Sequence, residues 1–256
     1  CVRMFAYEQV SVVNVVGATW LKSGGGWAAP SGGGASLPFA TFLLNSTTSN
    51  TGKGCFQVAN GGAFASAYTA ISGGSIPSTI TLPVGCKVSI GAQIIHPQSI
   101  TADGGGTLLV NNTLAFANGG AFLINAANIG GTGSVTGASA FVTSSPSAHI
   151  FGGTGSGNAG RLACNTLNLG TVGGSIDVYS DGVGISKISL GGGQFTNAST
   201  LAKINLMEPM PAGVFTEVET TNTTAPVNIP TIGTNNSGRA ASVSWVSGTG
   251  LRLTLT

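Results

Sequence analysis

Glycine supplies 42 of the 256 residues of this chain, and the stretches between glycines are rich in β-branched, small and aliphatic residues. That punctuation leaves little room for helices. No segment keeps an apolar i, i+3, i+4, i+7 pattern among good helix formers. Only Gly62–Ile71 (GAFASAYTAI) is long enough to predict a short helix, of about two turns.

Strands fit the same punctuation well. Short runs bounded by Gly, Asn, Asp or Ser-Pro predict strands at Thr79–Leu82, Lys87–Ile90, Thr107–Val110, Ala121–Ile124, Ala140–Thr143 and Thr166–Leu169. Further strands are predicted at Ser175–Tyr179, Lys187–Leu190, Leu201–Met207, Val214–Thr220, Ala241–Val246 and Leu251–Thr256. Several alternate cleanly. Leu167 and Leu169 share one face of their run while Thr166 and Asn168 share the other. Leu251, Leu253 and Leu255 alternate with Arg252, Thr254 and Thr256. A period of two means strands with one buried face.

Between Ile76 and Met207 these runs are joined by Gly-rich links such as Gly104-Gly105-Gly106, Gly119-Gly120 and Gly191-Gly192-Gly193. Short strands and tight Gly/Asn corners predict an all-β fold of the β-solenoid (parallel β-helix) kind. A β-sandwich or jelly roll has turns at comparable spacing and stays open as the alternative, because no exact repeat is visible. The chain divides into an N-terminal cap or assembly segment (1–75), a solenoid-like core (76–207) and a C-terminal β cap (208–256). Caps are expected because a solenoid otherwise exposes apolar rung faces and strand edges.

Charge is scarce. Nine Lys+Arg and seven Asp+Glu make up 6% of the residues, against 42% hydrophobic; about a quarter charged is usual. High hydrophobicity with little charge is the opposite of the disorder signature. It also removes repulsion between copies, so self-association into a homo-oligomer or polymer is expected. The basic residues are scattered singly from Arg3 to Arg252, which gives no footprint for nucleic acid. No apolar run is long enough for a transmembrane segment. Cys1, Cys55, Cys86 and Cys164 match no zinc or redox spacing. They allow three disulfide pairings, and buried free thiols fit them equally well. Cys1 also fits a lipidated or intersubunit-bonded N-terminus, or simply the place where the given chain starts. Near that end EQVSVVNVV, with Val10, Val12, Val13, Val15 and Val16, is a strand that either completes its own sheet or is donated to a neighbour's edge.

The segments CNTLNLG, SKISLGGGQFTNASTLAKINLM, PMPAGVFTEVET and ASVSWVSGTGLRLTLT follow one another over residues 164–256. In this order the C-terminal part resembles the β-helical passenger regions of bacterial autotransporters and related adhesins. The tryptophan-glycine stretch from Gly17 through Trp20 and Trp27 to Pro38 is similar in kind to their openings. The resemblance implies a β-helix, an extracellular location, an adhesive or structural role and no catalytic residues. Four cysteines are more than such passengers usually carry, and the given chain contains no downstream barrel.

Chemistry-bearing residues are few. His96 and His149 have no further ligands at metal spacing, so neither metal nor cofactor is expected. Asp177 with Asp181, and Glu217 with Glu219, are the carboxylate pairs that glycoside cleavage would use. Glu217 and Glu219 are two apart, so a regular strand puts them on one face, with Lys203 placed to neutralise them. Asp181-Gly182 reads as a turn. Gly155-Ser156-Gly157 lies in a Gly-rich loop, without the strand–turn–helix setting of a nucleophile elbow. Sequons begin at Asn45, Asn111, Asn197, Asn222 and Asn235, surface acceptors wherever the source glycosylates. The expectation is a non-enzymatic, secreted or cell-surface structural protein: a self-assembling filament, sheath or surface layer, or an adhesin stalk. The alternative of another class is a virion fibre or decoration protein binding surface glycans, for which Trp20, Trp27 and Tyr68 are candidate contacts. A polysaccharide lyase or hydrolase comes third.

Overall fold

The structure, a computed structural model, describes residues 99–116, 119–137 and 140–256, and before residue 99 a series of short strands. Among the described residues there are strands and no helix. The prediction of a helix over Gly62–Ile71 meets a strand at Ala63–Phe64, and the rest of that segment lies outside the described residues. Each of the twelve strand predictions overlaps an observed strand, with ends that differ by up to two residues.

The strands form three sheets of eight and one separate parallel pair, Thr19–Ser23 with Thr41–Asn45. The first sheet stacks, in chain order, Gly34–Leu37, Cys55–Val58, Thr79–Thr81, Ile100–Asp103, Ala121–Ile124, Ala140–Thr143, Leu167–Asn168 and Phe195–Thr196. The second stacks Ala63–Phe64, Lys87–Ile90, Thr107–Val110, Asn128–Gly130, His149–Ile150, Ser175–Val178, Lys203–Leu206 and Thr231–Asn235. The third stacks Ile94–His96, Thr113–Phe116, Ser134–Thr136, Arg161–Cys164, Lys187–Gly191 and Gly213–Thr220, and ends with Gly250–Leu255 and then Ala241–Val246. From Thr79 to Thr220 successive strands visit the first, second and third sheet in rotation, and every strand-to-strand pairing is parallel. Antiparallel ladders enter only with the closing hairpin, where Gly250–Leu255 pairs with both Gly213–Thr220 and Ala241–Val246.

Register makes like stack on like. In the second sheet Val88, Leu108, Ile129, Ile150, Ile176, Ile204 and Ile232 are consecutive partners. In the first sheet Ile100 and Phe141 both pair with Phe122, and Leu167 pairs with Phe195. In the third, Leu162, Ile188, Val218 and Leu251 continue one another. Buried members of all three columns belong to a single apolar core. Aliphatic and aromatic side chains in line fill the space between strands without charge, which accounts for how few charges the chain needs.

The corners differ in size. Two residues separate Val110 from Thr113, whereas residues 151–160, 179–186 and 207–212 bridge the same corner in later turns of the chain. Gly131 shows what the tight corners demand. Its φ is +132°, and a Cβ there would sit 2.0 Å from the Val110 carbonyl oxygen, so only glycine fits.

Phe122 is fully buried, with ring centroids of Phe116 and Phe141 at 6.2 and 5.1 Å. Truncating it to Ala is expected to cost about 3–5 kcal/mol in denaturant unfolding. Val183→Ala, at a corner where the side chain is 86% exposed, is expected to stay within about 0.5 kcal/mol.

Candidate functional site

The enlarged corner between the second and third sheets gathers much of the scarce charge. His149 and Asp177 lie on the second sheet and Arg161, Lys187, Glu217 and Glu219 on the third. Tyr179, Asp181 and Glu208 lie in the corner segments between them. The alternation of strands among the sheets brings these residues together although they are spread from His149 to Glu219.

On the second sheet Ile176 and Val178 are buried core, so Asp177 between them turns to the other face. His149 Nδ1 stands 2.9 Å from Asp177 Oδ2, and Asn205, the register partner of Asp177, donates from Nδ2 to Oδ1 at 2.8 Å. Asn205 Oδ1 in turn accepts the Thr234 N–H at 3.0 Å. One side-chain chain therefore ties four successive strands. The hydrogen bond to Asp177 holds the His149 imidazolium form up against burial, which works the other way, and the Asp177 charge adds to the rise above the ordinary 6.5.

On the third sheet Glu219 is shared. Lys187 Nζ approaches Oε1 at 3.1 Å and Arg161 approaches Oε2 at 3.3 Å, while Arg161 also donates to Ser189 Oγ. Lys203, expected beside the two glutamates, instead donates to Thr231 Oγ1 at 2.9 Å on its own sheet. Nor do Glu217 and Glu219 form one exposed pair. The ladder with Gly250–Leu255 slips between Thr216 and Val218, leaving Glu217 as the extra residue of a bulge. Glu219 is about one-third exposed, whereas Glu217 is 1% exposed with neither carboxyl oxygen hydrogen-bonded. Burial pushes the Glu217 carboxyl well above the ordinary carboxylate range; Lys187 opposes this, and Glu219 and Asp177 reinforce it.

Glu208 clamps three corner segments. It accepts the Ser156 hydroxyl at 2.7 Å, the Gly157 N–H at 3.1 Å and the Ser180 N–H at 2.6 Å. Partial burial works to raise its carboxyl, but these donors outweigh it and hold it below the usual value. The Gly-rich stretch around Ser156 is thus a strap fastened by a carboxylate. Phe151 meets Tyr179 edge-on at 5.3 Å in the same corner. Burial, then the charges of Asp177 and Glu208, push the Tyr179 hydroxyl up to about 12. Asp181 forms the expected turn with Gly182 by accepting the Val183 and Gly184 N–H groups.

The other candidate residues fall elsewhere. Cys164 is a free thiol buried in the core, pushed up to about 12 by desolvation and so inert at neutral pH. Cys55 lies in a strand whose side chains are not described, and Cys1 and Cys86 lie outside the described residues, as does the Val10–Val16 segment. His96 and Asn45 close their strands, Ile94–His96 and Thr41–Asn45. Of the sequon asparagines, Asn197 is buried and donates to the Asn228 carbonyl, while Asn235 is exposed but braces Ser237 and Arg239. Asn222 accepts the Thr224 N–H and Asn111 accepts the Thr132 N–H. Among the described residues no group of three His, Cys, Asp or Glu is arranged to hold a metal ion. The carboxylates at this corner act as staples: Asp177, Glu208 and Glu219 each bind donors from more than one turn of the chain.

Glu217 gives the staple region a pH signature. A carboxyl kept neutral in the fold and ionised when unfolded leaves stability intact below the ordinary carboxylate pKa. That stability is lost as pH climbs toward the raised folded value. Glu217→Gln is therefore expected to melt with the parent protein near pH 4 and above it near pH 8, by roughly 2–4 °C per kcal/mol. Thermal unfolding monitored by circular dichroism reads the gap; a gap that does not change with pH would contradict a neutral Glu217.

No family model, no curated protein and no solved structure matches this chain.

Proposed function

We propose that this chain is an extracellular structural protein: a parallel β-helix that serves as a stiff rod and self-associates into a filament, sheath or surface layer, or stands as an adhesin stalk. The observation that carries the proposal is the second-sheet column, in which seven aliphatic residues from Val88 to Ile232 stay in register through seven successive strands. A stack of this kind gains stability turn by turn from its neighbours alone, so it can be long without a larger core. Parallel ladders along the stack resist bending and pulling together.

The side-chain chemistry supports the same role. Asp177, Glu208 and Glu219 spend their hydrogen-bonding capacity on other turns of the chain. Low charge suits packing against a surface or against copies. No helix among the described residues is long and apolar enough to cross a membrane.

Electron microscopy of the purified native protein, with and without reductant, tests the proposal. Regular fibres, tubes or sheets are expected. Loss of order on reduction would assign the intersubunit bonds to Cys1, Cys55 or Cys86, since Cys164 is a buried free thiol. A field of discrete monomers would overturn the assembly role, and discrete trimers would move the assignment to a glycan-binding virion fibre.

A further inference from the structure

The third sheet ends on Ala241–Val246, which among the described residues has Gly250–Leu255 as its one ladder partner. Ala240 and Thr256 exchange both backbone hydrogen bonds, at 3.1 and 3.0 Å. That exchange sets the phase of the ladder. Ser242, Ser244 and Val246 turn their backbone groups toward Gly250–Leu255, and Ala241, Val243 and Trp245 turn theirs toward the open edge. Among the described residues no backbone hydrogen bond reaches that edge.

An open row of N–H and C=O groups is a template for another strand, and proteins usually blunt it with Lys, Pro, a bulge or a covering segment. None of the first three is present here. ASVSWV holds no charge, no proline and no glycine, and its register with Gly250–Leu255 runs unbroken from Ala241↔Leu255 to Val246↔Gly250. The layer around it is also incompletely covered. Ile232, Ala241, Val243 and Trp245 are only partly buried against the core, although their ladder partners Ile204, Leu255, Leu253 and Leu251 are buried. Val227 and Ile229, in the same last layer, are 85% and 44% exposed.

We infer that the open edge of Ala241–Val246 is an interface between two copies of this chain, paired antiparallel and end to end. The inference rests on the self-assembling role proposed above and names its contact. The second copy is the occupant because the row complements itself. Centred on Val243, a two-fold pairing sets Val243 against the partner's Val243, Ala241 against the partner's Trp245 and Ser242 against the partner's Ser244. Each edge residue with free backbone groups then faces another, and the smallest side chain faces the largest. The row is uncharged, so the approach meets no like-charge pair across the strands. Covering the edge also buries the partly exposed apolar layer beside it.

Light scattering on a size-exclusion column, over a wide range of loading concentrations, compares the parent protein with Val243→Pro. The Val243 N–H faces the open edge, so proline there leaves the bonds to Gly250–Leu255 intact while removing a donor from the interface. The expected result is concentration-dependent association of the parent protein, weakened at least about tenfold in the variant. A second pair of variants reads the register. Ser242 and Ser244 side chains are exposed, and directly opposite non-hydrogen-bonded residues have Cα atoms about 4.5 Å apart, within reach of a disulfide. Mixing Ser242→Cys with Ser244→Cys under oxidation is expected to give a cross-linked dimer that neither variant gives alone. Association that persists in Val243→Pro with no such cross-link would overturn this interface and leave the self-assembling role standing. A parent protein that stays monomeric at every concentration would overturn both. Should Val243→Pro fail to fold, the cross-link alone decides.

Discussion

Everything in this molecule depends on the parallel ladder between successive turns of the chain. A strand of two to five residues cannot hold itself together; its backbone groups must be met by the strand before it and the strand after it. Once that condition holds, register follows, because a slip of one residue would turn each buried column outward. The Val88-to-Ile232 column and the Phe122–Phe141 contact are two expressions of the same constraint. Glycine at the tight corners follows from it too: where one turn passes directly over another, as Gly131 passes over Val110, no side chain can intervene.

Charge is used where the ladder is least regular. The corner between the second and third sheets swells from two residues to ten, and backbone pairing alone no longer fastens it. Glu208, Asp177 and Glu219 take over there, each joining segments that are distant in sequence, such as Ser180 with Glu208, Asp177 with Asn205 and Lys187 with Glu219. Partly exposed ion pairs such as Lys187–Glu219 contribute little energy singly. Their value in this corner is directional, since a carboxylate with two or three donors admits few alternative loop arrangements. Glu217 is the exception, a carboxyl buried by a bulge without a partner.

Local structure was legible in the residues. Leu251, Leu253 and Leu255 alternate with polar neighbours, and all three are buried. Lys203-Ile204-Asn205-Leu206 lies in a strand at those same four positions. Strands such as His149–Ile150 and Asn128–Gly130 were not legible, because two or three residues cannot display a period. The repeat was hidden for a physical reason. Partners in the second-sheet column, Val88, Leu108, Ile129, Ile150, Ile176, Ile204 and Ile232, lie 20, 21, 21, 26, 28 and 28 positions apart. Corner insertions change the step, so no fixed repeat length shows in the sequence. The site was hidden by the same insertions. Nothing local pairs His149 with Asp177 or Lys187 with Glu219, and the bulge that separates Glu217 from Glu219 leaves no mark in a strand that reads as regular.

The most direct test of the stacking is a set of spin-label distances along one sheet. Thr231 lies four ladder steps from Asn128, five from Thr107 and six from Lys87. At roughly 4.8 Å per step, pulsed electron–electron resonance on the three double-labelled proteins should give backbone separations of about 19, 24 and 29 Å. Equal increments of about 5 Å between the three pairs are the predicted result. Distances that fail to rise in that order, or that rise by unequal steps well outside the spread of the label, would contradict a continuous parallel stack.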